Sequence, residues 1–101
     1  MGDEKIIVTI DSDLEDLIPG FLQNRSRDLE SLREALKQKD CQAIQATGHS
    51  LKGVGGGYGF DKMSELGAEI ESSAKANDLG KLAELIEQYG DYLDRIEVVY
   101  E

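Results

Sequence analysis

Apolar residues recur every three or four positions along most of this chain, and polar punctuation divides the pattern into successive helices. From Gly20 to Lys39, Phe21, Leu22, Leu29, Leu32 and Leu36 fall on one helical side. From Gln42 to Phe60 the stripe is Ile44, Thr47, Leu51, Val54 and Tyr58, at i, i+3, i+7, i+10, i+14. Met63, Leu66, Ile70 and Ala74 form a third stripe. The last is the cleanest: Leu82, Leu85, Ile86, Tyr89, Leu93, Ile96 and Val99 repeat at heptad-like spacing, which predicts an intramolecular bundle seam running to Val99. Asp40, Gly59, Asp61 and Asn77-Asp78 sit at the breaks. Asp40 and Asp61 are suited to cap the helices that follow, and Gly59 to end one in a left-handed turn.

The first residues read differently. Ile6-Ile7-Val8-Thr9-Ile10 is β-branched, which disfavours helix, and no second strand signal is seen elsewhere. Residues 1–11 are therefore expected to be an extended arm laid over an apolar seam, not part of a sheet. Ser12-Asp13-Leu14-Glu15 has the form of a capping box, opening a short helix with Leu14, Leu17 and Ile18. Pro19 ends that helix or begins the next. Four long amphipathic helices with short connections predict an all-α fold. The expected architecture is an antiparallel up-and-down four-helix bundle over residues 12–101, with a short extra N-terminal helix capping one end.

Candidate chemistry concentrates in the second long helix. It holds the only histidine, His49, and six of the eleven glycines fall between Gly48 and Gly59. At about 100° per residue His49 lies roughly 180° from the apolar stripe and faces solvent. Lys52, Gly53 and Gly56 share its side further along, and Gln45 one turn before. A glycine inside a helix costs about 1 kcal/mol relative to alanine, so Gly53 and Gly56 on an outer face need a reason. A phosphoryl group delivered to the imidazole by another protein supplies one. Neutral imidazole is a nucleophile near neutral pH, a nearby lysine offers charge to phosphoryl oxygens, and missing side chains clear the approach. The plainer reading is an ordinary exposed histidine. The glycines and Lys52 on the same face weigh against it.

Composition narrows the field. The chain of 101 residues is one domain with a formal net charge of −10, from 21 acidic and 11 basic residues. That balance argues against nucleic acid and against an anionic membrane surface. The one cysteine, Cys41, favours a reducing compartment and reads as a small apolar filler. No signal-peptide core and no apolar run of spanning length is present, and Ile6 stands where a myristoylation signal needs Ser or Thr. A cytoplasmic monomer is expected, and Met1 without a trailing linker points to a stand-alone module. Arg25 and Arg27 are candidates for a phosphate contact, but solvated charge or an intrahelical ion pair is the favoured reading.

Other chemistries lack their residues. Gly48 to Gly53 has the gap of a P-loop, but Val54 follows where lysine is required. The Gly55–Phe60 run breaks a dinucleotide fingerprint at its last position, with no preceding strand. His49 and Cys41 are too few for zinc, and the backdrop of a serine nucleophile is absent. No metal site and no resident cofactor are expected.

His49-Ser50-Leu51-Lys52-Gly53, followed by small residues and Gly59, resembles the H-x-x-K-G…G signature of histidine-containing phosphotransfer (HPt) domains. Leu66, Gly67, Ile70 and Glu71 resemble the family's next helix, and the likeness runs from about Asp13 to the C-terminus. The Gly55-Gly56-Gly57 run departs from the family's Ser/Ala mixture. The resemblance implies a helical bundle whose histidine carries phosphate between aspartates of receiver domains in a two-component phosphorelay. His49 would be the phosphorylated nucleophile, through Nε2, and Lys52 would stabilise the phosphoryl group. Gln45, Gly48, Gly53 and Gly56 would form part of the docking surface. Partners would be response-regulator receiver domains and a hybrid histidine kinase, the receiver contributing Mg²⁺. With no ATP site, this chain would be a carrier and not a kinase. Two rival functions are an adaptor bundle that binds a partner through the same face without phosphate, and a small metal- or cofactor-binding helical protein.

Overall fold

The computed structural model describes residues 4–101. The chain runs β1 (Ile6–Ile10), a 3-10 turn (Ser12–Leu14), α1 (Ile18–Lys37), α2 (Cys41–Gly57), α3 (Asp61–Lys75), α4 (Leu79–Arg95) and β2 (Ile96–Tyr100). The four expected helices are present, and each packs against two others: α1 on α2 and α4, α3 on α2 and α4. Their apolar stripes meet in one core. Leu32, Ile44, Leu51, Phe60, Met63, Ile70, Leu82, Leu85 and Tyr89 are fully buried there. Each such side chain contributes about 1.5–3 kcal/mol of transfer free energy, and this burial, more than intrinsic helix propensity, holds the helices.

The helix ends follow from local chemistry. The Ala43 N–H donates to Asp40 Oδ1 at 3.1 Å, and the Lys81 N–H to Asp78 Oδ1 at 3.1 Å, so α2 and α4 begin on aspartate caps. Pro19 begins a helix: it sits in the first turn of α1, where its missing N–H has no intrahelical partner to lose. Gly59, at φ +90°, makes the left-handed turn after α2. Replacing Asp40 by alanine should cost about 1 kcal/mol, read as a lower urea midpoint with unchanged slope. Asp40→Asn, which keeps the accepting oxygen, should cost much less.

Several expectations are corrected. The Ile6–Ile10 segment is a strand, paired in parallel with β2 in the register Ile6↔Ile96 through Ile10↔Tyr100. Met1–Asp3, the rest of the expected arm, lie outside the described residues. The seam read to Val99 stops at Arg95, and Ile96 is already extended at φ −64°, ψ 131°. Three of the five residues of Ile96-Glu97-Val98-Val99-Tyr100 are β-branched, and such side chains lose χ1 freedom in a helix. Parallel strands need a long crossover, and here the crossover is the entire bundle. The capping box is not formed: Asp11 caps a single 3-10 turn, its Oδ1 accepting from the Asp13 N–H at 2.9 Å. Phe60, not Asp61, is the N-cap residue of α3, and its ring is fully buried.

The sheet fastens the two ends of the chain over the α2–α3 turn. The Arg95 Nε–H donates to the Glu4 carbonyl at 2.7 Å. Inward-facing Ile10 packs so closely that a Cβ on Gly59 would stand 3.2 Å from its Cδ1.

Candidate functional site

The site is built where α2 and α3 touch backbone to backbone. The residues of α2 that face inward are Ile44, Gly48, Leu51 and Gly55. A Cβ on Gly48 would lie 2.7 Å from the Glu71 nitrogen, and one on Gly55 2.7 Å from the Ser64 nitrogen. From the other side, a Cβ on Gly67 would lie 2.5 Å from the Lys52 nitrogen and 2.8 Å from the Gly48 carbonyl oxygen. The partner number on α3 falls as that on α2 rises, so these two helices run antiparallel. Side chains at these crossing points would hold the helices apart, and glycine removes them. The Ser64 hydroxyl adds a bond across the seam, donating to the Lys52 carbonyl at 2.7 Å.

Next to Gly48, His49 leaves the seam on its solvent side, and its side chain is 69% exposed. Glu71, four residues after Gly67, reaches back across the contact with a side chain only 12% exposed. One carboxylate oxygen meets His49 Nδ1 at 2.9 Å and the other meets Lys52 Nζ at 3.2 Å. The ammonium of Lys52 is the main reason the Glu71 carboxyl is held below its ordinary 4.5; burial opposes it and the hydrogen bond with His49 assists. Glu71 is thus an ionised acceptor, and the hydrogen between it and Nδ1 belongs to the ring. In the neutral imidazole this fixes the tautomer: Nδ1 carries the proton and Nε2 keeps its lone pair on the exposed side.

A carboxyl whose folded pKa is depressed stabilises the fold above its unfolded value, and that contribution disappears as pH falls through the folded value. Glu71→Gln should therefore be less stable than wild type near neutrality. The gap should close on acidification below about 4.5, in urea midpoints taken from about pH 3 to about pH 7. A gap independent of pH would sink this account of Glu71.

The other candidate residues distribute unevenly. Lys52 stands beside His49 as its spacing requires. Gln45 is half-buried and lines an open hollow of about 370 Å³ with Gln42, Ala46, His49 and Glu71. A Cβ on Gly53 would meet nothing within 4 Å, and one on Gly56 only the Ser64 side chain at 3.7 Å, so both leave open surface. Gly48 is corrected: it is buried in the helix seam and offers a partner nothing. Arg25 pairs with Asp28 at 2.9 Å and lies over the Phe21 ring at 4.9 Å, and Arg27 donates to Asn24 Oδ1 at 3.4 Å. Neither lines the hollow around His49. Cys41 is a half-buried free thiol in the first turn of α2.

Sequence reasoning assigned no role to Glu71. Its signal was a carboxylate next to the buried stripe residue Ile70, one turn after a glycine, where a solvated charge is not expected. Among the described residues, no group of three or more His, Cys, Asp or Glu side chains is placed to hold a metal ion. No described helix is long and apolar enough to cross a membrane.

A family model described as Hpt domain matches the chain over residues 16–98. No curated protein and no solved structure matches the chain.

Proposed function

This chain belongs to the Hpt domain family, whose members are phosphorelay carriers and not kinases or ATPases, and from that membership we propose that His49 is the residue that carries the phosphoryl group. The observation that supports it best is the 2.9 Å contact between Nδ1 and the ionised Glu71 carboxylate, which leaves the nucleophilic lone pair on Nε2 of an exposed ring. Nε2 attacks the phosphorus of a receiver's aspartyl phosphate. The N–P bond forms as the P–O bond to the aspartate breaks, and the aspartate leaves as its carboxylate. The ring, still protonated at Nδ1, gains positive charge in that step, and Glu71 offsets it across the existing hydrogen bond. Lys52, held in reach by the other Glu71 oxygen, turns its ammonium to the phosphoryl oxygens. Passing the group onward is the same step in reverse.

Gln45, Gly53 and Gly56 flank the ring as docking surface, the glycines leaving room for a receiver's active-site edge. The receiver brings the Mg²⁺ that its own acidic residues hold, and this chain contributes no cofactor. A hybrid histidine kinase and response-regulator receivers are the partners, and nucleic acid is disfavoured by the net charge of −10. The single reduced cysteine fits a cytoplasmic setting. We infer that all four helices alternate in direction, as the short links between them require.

The test is transfer from a panel of phosphorylated receiver domains to the purified chain. Acid-labile, alkali-stable label on the wild type is the expected result. No label from any receiver, on protein with full helical circular dichroism, would leave the adaptor reading in its place.

A further inference from the structure

The two-stranded sheet has a free edge, and its chemistry is complementary to itself. The Glu101 N–H donates to the Ile10 carbonyl, and the Ser12 N–H to the Glu101 carbonyl, both at 3.1 Å. In a parallel ladder this turns the main-chain groups of the even-numbered β1 residues towards β2. Those of Ile7 and Thr9 therefore point the other way. Neither makes a backbone hydrogen bond to another described element, and an open cleft of about 270 Å³ lies between Ile6–Thr9 and the wall formed by Gly59, Phe60, Asp61, Lys62 and Tyr92. Ile7 is 55% exposed, and Val99, across from Thr9 on the same outer face, is 39% exposed. The usual protections of an edge strand, a proline, a bulge or an inward-pointing charge, are missing from Ile6–Ile10.

We propose that β1 is a dimer interface, pairing antiparallel with β1 of a second copy about a two-fold axis at Val8 to make a four-stranded sheet. The register follows from the strand. Full overlap of Ile6–Ile10 with itself sets Ile7 opposite the second copy's Thr9, and those are the residues whose main-chain groups are free. The same register sets Lys5 opposite Asp11 of the second copy, once on each side of the axis, as opposite-charge pairs. Among the described residues Lys5 has no ion-pair partner. The β2 edge is the weaker candidate. Its full-overlap register would offer only Arg95 opposite Glu101 of the second copy as a charge pair, and Arg95 is already held by Asp91 at 2.9 Å and by the Glu4 carbonyl at 2.7 Å. A two-fold contact of this kind closes on itself and stops at two subunits. It replaces the monomer expected from the sequence pattern. It also leaves His49 open, since that residue sits about 12 Å back along α2 from the end that carries the sheet.

Sedimentation equilibrium decides the matter without any phosphoryl chemistry, so its outcome is independent of the function proposed for His49. The weight-average mass of the wild type should rise from 11.1 kDa towards twice that value with concentration. Thr9→Pro removes an outward N–H while sparing the β1–β2 ladder. It should stay at the single-chain mass with wild-type helical circular dichroism. Lys5→Glu, which sets two like-charge pairs across the axis, should weaken association about tenfold. A wild type that holds the single-chain mass throughout would overturn the proposal and leave the edge to a strand of another protein or to none. A dimer that survives Thr9→Pro would overturn it as well, by locating the contact elsewhere.

Discussion

The His49→Gln variant is expected to fold as the wild type does and to accept no phosphoryl group. The fold is spared because the ring is 69% exposed and forms no part of the core. Glutamine also keeps an N–H that can donate to Glu71. A change in stability within about 0.5 kcal/mol is expected for such a surface position. Transfer is lost because an amide nitrogen has no lone pair free to attack phosphorus, so the effect is abolition and not a slower rate. The measurement is label transfer from a phosphorylated receiver to each protein, with urea denaturation of both alongside. Label of equal intensity on the variant would remove His49 from the mechanism. Loss of label together with loss of fold would instead mean that the ring matters to packing, against its exposure.

The second large effect is on stability. Gly67→Ala should destabilise the domain by about 2 kcal/mol and lower its melting temperature by roughly 10 °C. The new methyl would stand 2.5 Å from the Lys52 nitrogen and 2.8 Å from both the Gly48 carbonyl oxygen and Leu51 Cβ. Two of those neighbours are backbone and cannot swing aside, so α2 and α3 must separate. Overpacking of this kind costs about 1–3 kcal/mol, and contacts to backbone put it at the upper end. The gain in helix propensity, up to about 1 kcal/mol, offsets part of it. Gly53→Ala is the control: its methyl meets nothing within 4 Å, so only the propensity gain remains and stability should rise. If thermal and urea denaturation found Gly67→Ala as stable as Gly53→Ala, the close contact of the two helices would be wrong. Separation of α2 from α3 also stretches the contact between His49 and Glu71, so transfer by Gly67→Ala should fall with the stability.

The two kinds of glycine on α2 show how far the sequence could be read. Periodicity put Gly53 on the solvent side with His49, and it is there. Gly48 was expected on the docking surface beside them, yet it sits in the seam. An angle on a helical wheel says which way a residue points, not how near the next helix comes. With no Cβ at Gly48 or Gly67, α3 approaches from a direction that apolar side chains on α2 do not mark. The β1 strand failed for a related reason. Its own five residues were legible as extended, but its partner lies at the far end of the chain, and a heptad count that tolerated Ile96 and Val99 hid it.

Four amphipathic stripes, the Asp40 cap, a left-handed glycine and an exposed histidine with a lysine one turn on were all determined by the sequence alone. Each depends on neighbours within about one helical turn, where backbone geometry is fixed by chemistry. Tertiary structure alone decided the parallel clasp of the chain ends, the burial of Gly48, and the place of Glu71 between His49 and Lys52. Those three are contacts between distant segments, and their geometry exists only once the helices have packed.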